Sequence, residues 1–224
     1  MRPDDDLTFA LSLADDADAI TLARFRAADL RVETKPDLTP VSEADRAVET
    51  ALRERIERER PGQPVLGEEE GGDDTSGWIL DPIDGTRNYT RGIPIWATLI
   101  AYADRVAVVS APALGRRWWA VRGQGAYVNG DPIRVSRIER IEDATVLVRA
   151  RSAPALAAKA WHVRGLGDFW AHMLVAEGAA ELAVDAPGLA IWDSAPLPVI
   201  LEEAGGRYED SVSWNGRIDV SELR

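Results

Sequence analysis

The sequence has no cysteine among its 224 residues and only two histidines, His162 and His172. Without cysteine, thiolate catalysis, disulfide bonds and cysteine-ligated zinc are all excluded. Neither histidine stands in an Arg-His-Gly context, so a phosphohistidine mechanism is not expected. We therefore predict that both histidines are surface or packing residues.

Long apolar runs and a basic N-terminus are missing as well. No segment approaches the ~18 consecutive apolar residues that a membrane-spanning helix requires. The first six residues read Met-Arg-Pro-Asp-Asp-Asp, which is acidic where a secretory signal would be basic, and no apolar stretch follows them. These features predict a cytoplasmic protein.

Basic residues are in the minority, because 26 lysines and arginines face 38 aspartates and glutamates, giving a formal net charge of −12. An acidic surface repels nucleic acid and anionic membranes, so we expect neither as a partner. It would also repel a phosphorylated substrate, unless cations bound at the site reverse the local field. This is a first indication of a metal.

Length and composition fit a single globular domain. Hydrophobic residues make up 46% of the chain and charged residues 29%, as in soluble globular proteins. A chain of 224 residues can bury a sizeable core. We predict one domain over residues 1–224, with a soft boundary near Ile138 between an N-terminal half, which carries the Glu68 and Asp81–Asp84 motifs described below, and a C-terminal half.

The order of the expected elements indicates the fold class. Apolar residues at helical spacing predict two N-terminal helices, strand-like segments with tight turns follow, and the second half alternates strands and helices. Helices, then an antiparallel sheet, then alternating elements predict a layered sandwich of the α/β or α+β class. The principal expected elements are helices at Asp5–Ala28, Ser42–Arg60, Phe169–Glu177 and Pro198–Ala204, a hairpin of Trp96–Tyr102 with Val106–Ser110, a turn at Asn129-Gly130, and strands near Val146 and Leu182.

Two aspartates close together after an apolar strand form the most informative motif. The strand Trp78-Ile79-Leu80 delivers Asp81 to its end, where Pro82 should stop ladder pairing. Asp84 follows three residues later, and Gly85 permits a sharp turn. Carboxylates converging on one point suit a hard cation such as Mg²⁺. The alternative is a plain Asp-Gly turn that closes a strand.

Two further acidic segments lie elsewhere in the chain. Glu68 begins a Glu-Glu-Glu run after the strand-like Val65-Leu66, and its alternative interpretation is a solvated acidic loop. Asp193 stands between apolar neighbours just before a helix, where it could instead serve as an N-cap. Pro196 and Pro198 follow, and we expect them to delay or kink the start of that helix.

The order Gly-Glu-Glu, Asp-Pro-Ile-Asp-Gly-Thr and Trp-Asp-x-Ala resembles the signature of the inositol-monophosphatase superfamily. The resemblance extends from Lys35 to about Gly206 and includes a first motif with Lys35, Asp37, Thr39 and Asp45. It implies a layered αβαβα sandwich of the inositol-monophosphatase/fructose-bisphosphatase type. It also implies a metal-dependent phosphomonoester hydrolase that uses two or three Mg²⁺ ions and is often a homodimer.

The resemblance also implies roles for individual residues. Thr86, supported by Asp45 or by Glu68, would orient and deprotonate the attacking water. Asp45 has a second interpretation, because Ser42 to Asp45 forms a fair capping box. The implied metal ligands are Glu68, Asp81, Asp84, Asp193 and the backbone carbonyl of Ile83; the phosphate would contact Gly85 and Thr86; and Asp84 and Asp193 would also face the substrate.

Within this family, Gly167-Asp168 resembles the histidinol-phosphate phosphatase group, whereas inositol phosphatases typically have Gly-Ser there. A carboxylate at Asp168 suits a cationic amino alcohol, although Asp168 could equally be an N-cap. The family's substrate-binding carboxylate falls at Ala186, and a one-residue insertion would assign that role to Asp185. The sequence thus predicts histidinol-phosphate hydrolysis in histidine biosynthesis. The alternatives are an inositol-1-monophosphatase, a related sugar or nucleotide phosphatase, or a non-catalytic metal-binding homologue.

Overall fold

The computed structural model describes residues 3–36, 38–149 and 155–221, so Asp37 of the first motif lies outside the described residues. Two helices open the chain, α1 (Pro3–Arg24) and α2 (Glu43–Glu59), with the short hairpin β1 (Val32–Thr34) and β2 (Pro40–Ser42) between them. The predicted capping box is present: Asp45 accepts from the backbone N–H of Ser42, and the Ser42 hydroxyl accepts from the N–H of Ala44. Helix α1 ends at Arg24, earlier than the predicted Ala28, because Arg26 adopts a left-handed conformation (φ 62°).

The larger sheet has seven strands in chain order, and all neighbours are antiparallel except the parallel first pair. Its hairpins at residues 97–111 and at Asn129-Gly130 confirm the prediction. Its strands are β3 (Val65–Gly67), β4 (Trp78–Asp84), β5 (Ala97–Tyr102), β6 (Val106–Ala111), β7 (Arg116–Val121), β8 (Ala126–Val128) and β9 (Asp131–Ile133), with the short helix α3 (Thr86–Thr90) between β4 and β5.

The second sheet is mixed and has the order β11-β10-β12-β14-β13. Strand β10 (Thr145–Val148) pairs in parallel with β11 (His162–Gly165) and with β12 (Leu182–Val184), while β13 (Arg207–Glu209) and β14 (Val212–Trp214) are antiparallel. The helices of this half are α4 (Asp168–Ala176), α5 (Ile191–Ser194) and α6 (Pro196–Glu203). The predicted alternation of strands and helices is confirmed.

The layers follow from which faces are apolar. Helices α1 and α2 cover one face of the large sheet with a cluster that includes Leu13, Leu52 and Trp78. Helices α4 and α6 fill the space between the two sheets, where Trp118 and Phe169 are buried. The outer face of the second sheet is covered in the described residues by a 3₁₀ turn at Ala155–Lys159. This is the predicted αβαβα sandwich, with its last helical layer reduced to a short turn.

Within residues 3–36, 38–149 and 155–221, no helix is both long enough and apolar enough to span a lipid bilayer.

Candidate active site

A cleft of about 160 Å³ opens where β3 and β4 end and helices α3, α4 and α5 begin. Its walls bring together segments that are more than 100 residues apart in the chain. The lining residues are Thr39, Pro40, Glu68, Asp81, Ile83, Asp84, Gly85, Thr86, Arg87, Arg149, Asp168, Phe169, His172, Asp185, Leu189 and Asp193.

Strand β4 reaches the cleft through a bulge. We predicted that the strand ends at Asp81, and this is wrong: it continues to Asp84, with the register shifting between the pairs Asp81–Leu99 and Asp84–Ala97. Pro82 has no N–H to donate, so the ladder is interrupted there, but its carbonyl accepts a hydrogen bond from Thr98 Oγ1 at 2.8 Å. The extra residue of the bulge turns both aspartates toward the cleft.

Three carboxylates converge at the centre of the cleft. One oxygen from each of Asp81, Asp84 and Asp193 lies within 4.8 Å of the others. Asp81 is buried, and within the described part of the chain its Oδ1 atom has no hydrogen-bond partner. A buried, unpartnered carboxylate oxygen among like charges is costly unless a cation neutralises it. The donor set therefore fits a hard divalent cation with oxygen ligands.

The pKa values of these carboxylates also indicate a site that fits a cation. Burial, together with repulsion from Glu68 and Asp84, raises the pKa of Asp81 well above its ordinary value. Burial and the charges of Asp168 and Asp193 do the same to the pKa of Asp84. Burial and the nearby Glu68 raise the pKa of Asp193 to about 6. Each raised pKa means that the site disfavours the ionised form of that carboxylate.

Glu68 lines the same cleft but is not one of the three converging carboxylates. Its Oε1 accepts a hydrogen bond from Lys35 Nζ at 2.8 Å, and Glu69 Oε1 accepts another from the same ammonium at 2.6 Å. Burial would lower the pKa of Lys35, but these two hydrogen bonds raise it above its ordinary value. The backbone N–H of Glu68 donates to the carbonyl of Leu80, which ties this loop to the strand that carries Asp81.

Thr86 and Asp45 are in direct contact. Thr86 Oγ1 lies 3.1 Å from Asp45 Oδ1 and 2.9 Å from the carbonyl oxygen of Ile83. Since Asp45 Oδ2 caps helix α2 through Ser42, the capping interpretation and the Thr86 contact both hold, one on each oxygen. Burial raises the pKa of Asp45, although hydrogen bonds from Ser42 and Thr86 oppose the shift.

Helix α3 begins beside the three carboxylates. Gly85 is left-handed (φ 86°), and a Cβ there would lie 3.0 Å from the carbonyl oxygen of Ile95, so glycine is required on both counts. The first hydrogen bonds of the helix run from Asn88 and Tyr89 to the carbonyl of Gly85. The first N–H groups of α3 therefore have no acceptor within the helix, and Gly85, Thr86 and Arg87 line the cleft, an arrangement that suits an anion.

The opposite end of the cleft holds Asp168, Asp185 and Arg149. Arg149 Nη1 lies 3.0 Å from Asp185 Oδ1, and its Nη2 lies 3.4 Å from Asp168 Oδ1. Burial would raise the pKa of Asp185, but contacts with His172, the N–H of Ala186 and Arg149 bring it below its ordinary value. Burial raises the pKa of Asp168, partly offset by Arg149. This end therefore carries two carboxylates and one guanidinium.

The capping interpretations of Asp168 and Asp193 are wrong. Gly167 is the N-cap of α4, without a side-chain cap, and the first two N–H groups of the helix donate to other elements: Asp168 N–H to Asp185 Oδ2 at 3.0 Å and Phe169 N–H to Asp84 Oδ2 at 2.6 Å. Asp193 is the third residue of α5, whose N-cap is Ala190.

We expected the prolines after Asp193 to delay or kink the start of the helix, and no delay is seen. Helix α5 ends at Ser194, and α6 begins anew at Pro196, in the first helical position, where no N–H is needed. The break leaves Asp193 on a short helical turn against strand β4, in position to join Asp81 and Asp84.

Sequence reasoning missed Arg149, and it did not foresee that His172, a packing residue as predicted, also lines the cleft. His172 is buried and lines the cleft; its Nδ1 lies 2.6 Å from Ser213 Oγ, and its Nε2 lies 3.9 Å from Asp185 Oδ2. His162, in contrast, lies on β11 beside Trp161. Two signals were available: His172 stands four residues after Asp168 on one helix, and Arg149 directly follows a strand, where α/β sites concentrate.

Comparisons with known proteins agree with this site. The sequence model of the inositol monophosphatase family matches residues 3–216. A histidinol-phosphatase of Mycobacterium tuberculosis is 48% identical over 91% of this chain and 86% of its own length. A histidinol-phosphatase of Streptomyces coelicolor is 45% identical with the same coverage. The structure of the Thermotoga maritima IMPase superposes with a TM-score of 0.85 and 26% identity, covering 95% of this chain and 92% of that one.

Proposed function

The chain belongs to the inositol monophosphatase family and is a phosphatase, and we propose that it hydrolyses histidinol phosphate with the help of Mg²⁺. One observation carries the metal-dependent part of the proposal, namely the convergence of Asp81, Asp84 and Asp193 around a buried oxygen that has no partner among the described residues. The similarity to two histidinol-phosphatases supports the substrate.

We propose that Asp81, Asp84 and Asp193 hold two or three Mg²⁺ ions together with Glu68 and the carbonyl of Ile83. Bound Mg²⁺ supplies a water of lowered pKa and neutralises charge on the phosphate and the leaving oxygen. The side chains contribute fixed oxygens whose mutual repulsion the cations relieve. Because the net charge of the chain is −12, this local reversal of charge is also what admits a phosphate.

Thr86 and Asp45 are proposed to orient the attacking water and accept its proton. Thr86 Oγ1 donates to Asp45 or to the carbonyl of Ile83, so its lone pairs stay available for a water proton. Asp45 is buried and its pKa is raised, as suits a group that takes up a proton during the reaction. The N–H groups at Gly85 and Thr86 are proposed to bind the phosphate oxygens.

The far end of the cleft is proposed to select the amine. Histidinol phosphate carries an ammonium group, and Asp168 with Asp185 offers two carboxylates to it. Arg149 neutralises one of these charges, which leaves a net charge of −1 for a single ammonium. A neutral polyol would gain no ionic contact there.

A phosphate-release panel tests the proposal. The purified chain is assayed on histidinol phosphate, inositol 1-phosphate and p-nitrophenyl phosphate, with Mg²⁺ and with excess chelator. We expect release that requires Mg²⁺ and a kcat/KM highest for histidinol phosphate. Undiminished release in chelator would overturn the metal assignment, and a preference for inositol 1-phosphate would overturn the substrate.

A further inference from the structure

The loop that carries Glu68 is short and closed on itself. Gly67 and Gly71 exchange two backbone hydrogen bonds, of 3.0 and 3.2 Å, so Glu68 to Glu70 form a small loop at the end of β3. A loop this tight turns some of its own N–H groups inward, where they need an acceptor that the loop itself does not provide.

Glu49 of helix α2 supplies that acceptor. Its side chain is fully buried, Oε2 accepts from the N–H of Glu69 at 2.7 Å, and Oε1 accepts from the N–H of Glu70 at 2.9 Å. Arg53, one turn later on α2, donates to Glu49 Oε1 at 2.9 Å and also to the carbonyl of Gly71. The carboxylate is therefore neutralised and fixed from one side while it holds the loop from the other.

Gly67 shows how closely the two parts fit. A Cβ built on Gly67 would lie 2.1 Å from Glu49 Oε1 and 2.4 Å from its carboxyl carbon. Non-bonded carbon and oxygen atoms do not come that close in real structures. Glycine at position 67 is therefore required by the position of Glu49 and not by the backbone angles of residue 67. The carboxylate occupies the space where the loop's side chain would otherwise be.

The contacts repeat along one face of α2. Asp45, Glu49 and Arg53 are spaced four residues apart and so lie on the same side of the helix. Asp45 contacts Thr86, and Glu49 and Arg53 contact the Glu68 loop. One helix face thus fixes two separate walls of the cleft.

We infer that Glu49 is a positioning residue for metal binding: by accepting the inner N–H groups of the loop, it holds Glu68 where a cation at Asp81 can use it. The inference rests on the proposed role of Glu68 as a metal ligand. Residues that hold a metal ligand in place typically contribute a factor of about 10–100 in metal affinity.

The experiment measures Mg²⁺ binding to the substrate-free protein by isothermal titration calorimetry. Glu49→Gln keeps the shape of the side chain but points an amide N–H₂ at one loop N–H, so we expect the Kd for Mg²⁺ to rise by about 10–100-fold. Glu181→Gln is the matched control, because Glu181 is also buried and accepts a backbone N–H, that of Thr145, outside the cleft. It should lose folding stability in urea without a change in Kd.

A double-mutant cycle separates positioning from general damage. Gly67→Ala alone should weaken Mg²⁺ binding, because the added methyl displaces the Glu49 carboxylate. In a Glu49→Ala background the three atoms nearest to the added methyl are gone, so the same change should add less than about 2-fold and the two effects should be strongly non-additive. Gly67→Ala retains Glu49 and so gives a reading even if Glu49→Gln fails to fold.

The outcomes distinguish this inference from the proposed function. Wild-type protein that binds no Mg²⁺, or Glu68→Gln that binds it normally, would overturn the metal assignment itself. If the wild type binds Mg²⁺ normally, three results would overturn only the role of Glu49. They are an unchanged Kd in Glu49→Gln, an equal loss of Mg²⁺ affinity in Glu181→Gln, and additive effects of Gly67→Ala and Glu49→Ala in the double-mutant cycle.

Discussion

Replacing Asp168 by asparagine tests how the cleft recognises its substrate. Asp168 has a left-handed backbone (φ 55°), a conformation that asparagine tolerates as well as aspartate. Its side chain does not cap α4, and its N–H bond to Asp185 comes from the backbone. Asp168→Asn therefore removes one negative charge and leaves the fold unchanged.

The expected magnitude follows from the partners of Asp168. A charge-assisted contact with a ligand ammonium contributes roughly 1.5–3 kcal/mol. Arg149, 3.4 Å away and partly exposed, already shares the carboxylate, so the lower part of that range applies. We expect kcat/KM for histidinol phosphate to fall by about 10–30-fold, which corresponds to the lower part of that free-energy range. Hydrolysis of p-nitrophenyl phosphate, which has no amine, should change by less than about 2-fold.

The assay compares both substrates and the melting temperature across wild type and two variants. Asp210→Asn is the matched control, because Asp210 also has a positive φ (48°), lies in the turn between β13 and β14, and is not one of the residues that line the cleft. It should match wild type on both substrates. An equal fall on both substrates in Asp168→Asn, or no fall on either, would refute the reasoning.

Three further predictions concern the metal and the water. Asp84→Asn keeps an oxygen for the Phe169 N–H but should abolish both the activity and the rise in melting temperature caused by Mg²⁺; near-normal turnover would contradict the ligand assignment. Thr86→Ala should leave the Kd for Mg²⁺ nearly unchanged and lower kcat by about 10²–10⁴-fold, whereas a change in KM alone would make Thr86 a binding residue. Burial and the nearby charge of Glu68 raise the pKa of Asp193 to about 6. The ionised form of Asp193 therefore destabilises the metal-free fold. Its contribution to the free energy of unfolding falls as pH rises from about 4 to 6. Mg²⁺ must displace that proton, so calorimetry should show weaker binding and more proton release at pH 5.5 than at pH 8; affinity that is flat across this range would refute the assignment.

The sequence predicts best those features whose causes are local. The capping box at Ser42, the hairpin turn at Asn129-Gly130 and the sharp turn at Gly85 each depend on neighbouring residues, and each is present. The order of elements along the chain follows from periodicity in the same way, whereas the αβαβα layering was implied by the family resemblance. The end of β4 was placed too early because Pro82 forbids only its own ladder bond, and pairing resumes at Asp84 opposite Ala97 on another strand.

The parts of the cleft that escaped prediction depend on contacts between distant segments. Arg149 reaches Asp168 and Asp185 because β10 and β12 pair in parallel and α4 packs against β12. The burial of His172 depends on Ser213 of β14, and nothing near His172 in the sequence indicates that partner. Propensity and motif spacing describe a residue's neighbours in the chain, and these side chains are positioned by neighbours in space.

The hydrogen bond between Asp84 and the N–H of Phe169 links the two halves of the chain at a single atom pair. Asp84 ends a strand of the large sheet, and Phe169 is the second residue of helix α4, which lies between the two sheets. A change in the charge of Asp84 therefore changes the strength of its hydrogen bond to helix α4. A shift of that helix in turn acts on the Asp84 carboxylate at the centre of the cleft. The position of helix α4 and the charge at the centre of the cleft are therefore coupled through this bond, and we expect amide hydrogen exchange at Phe169 to change when a cation binds.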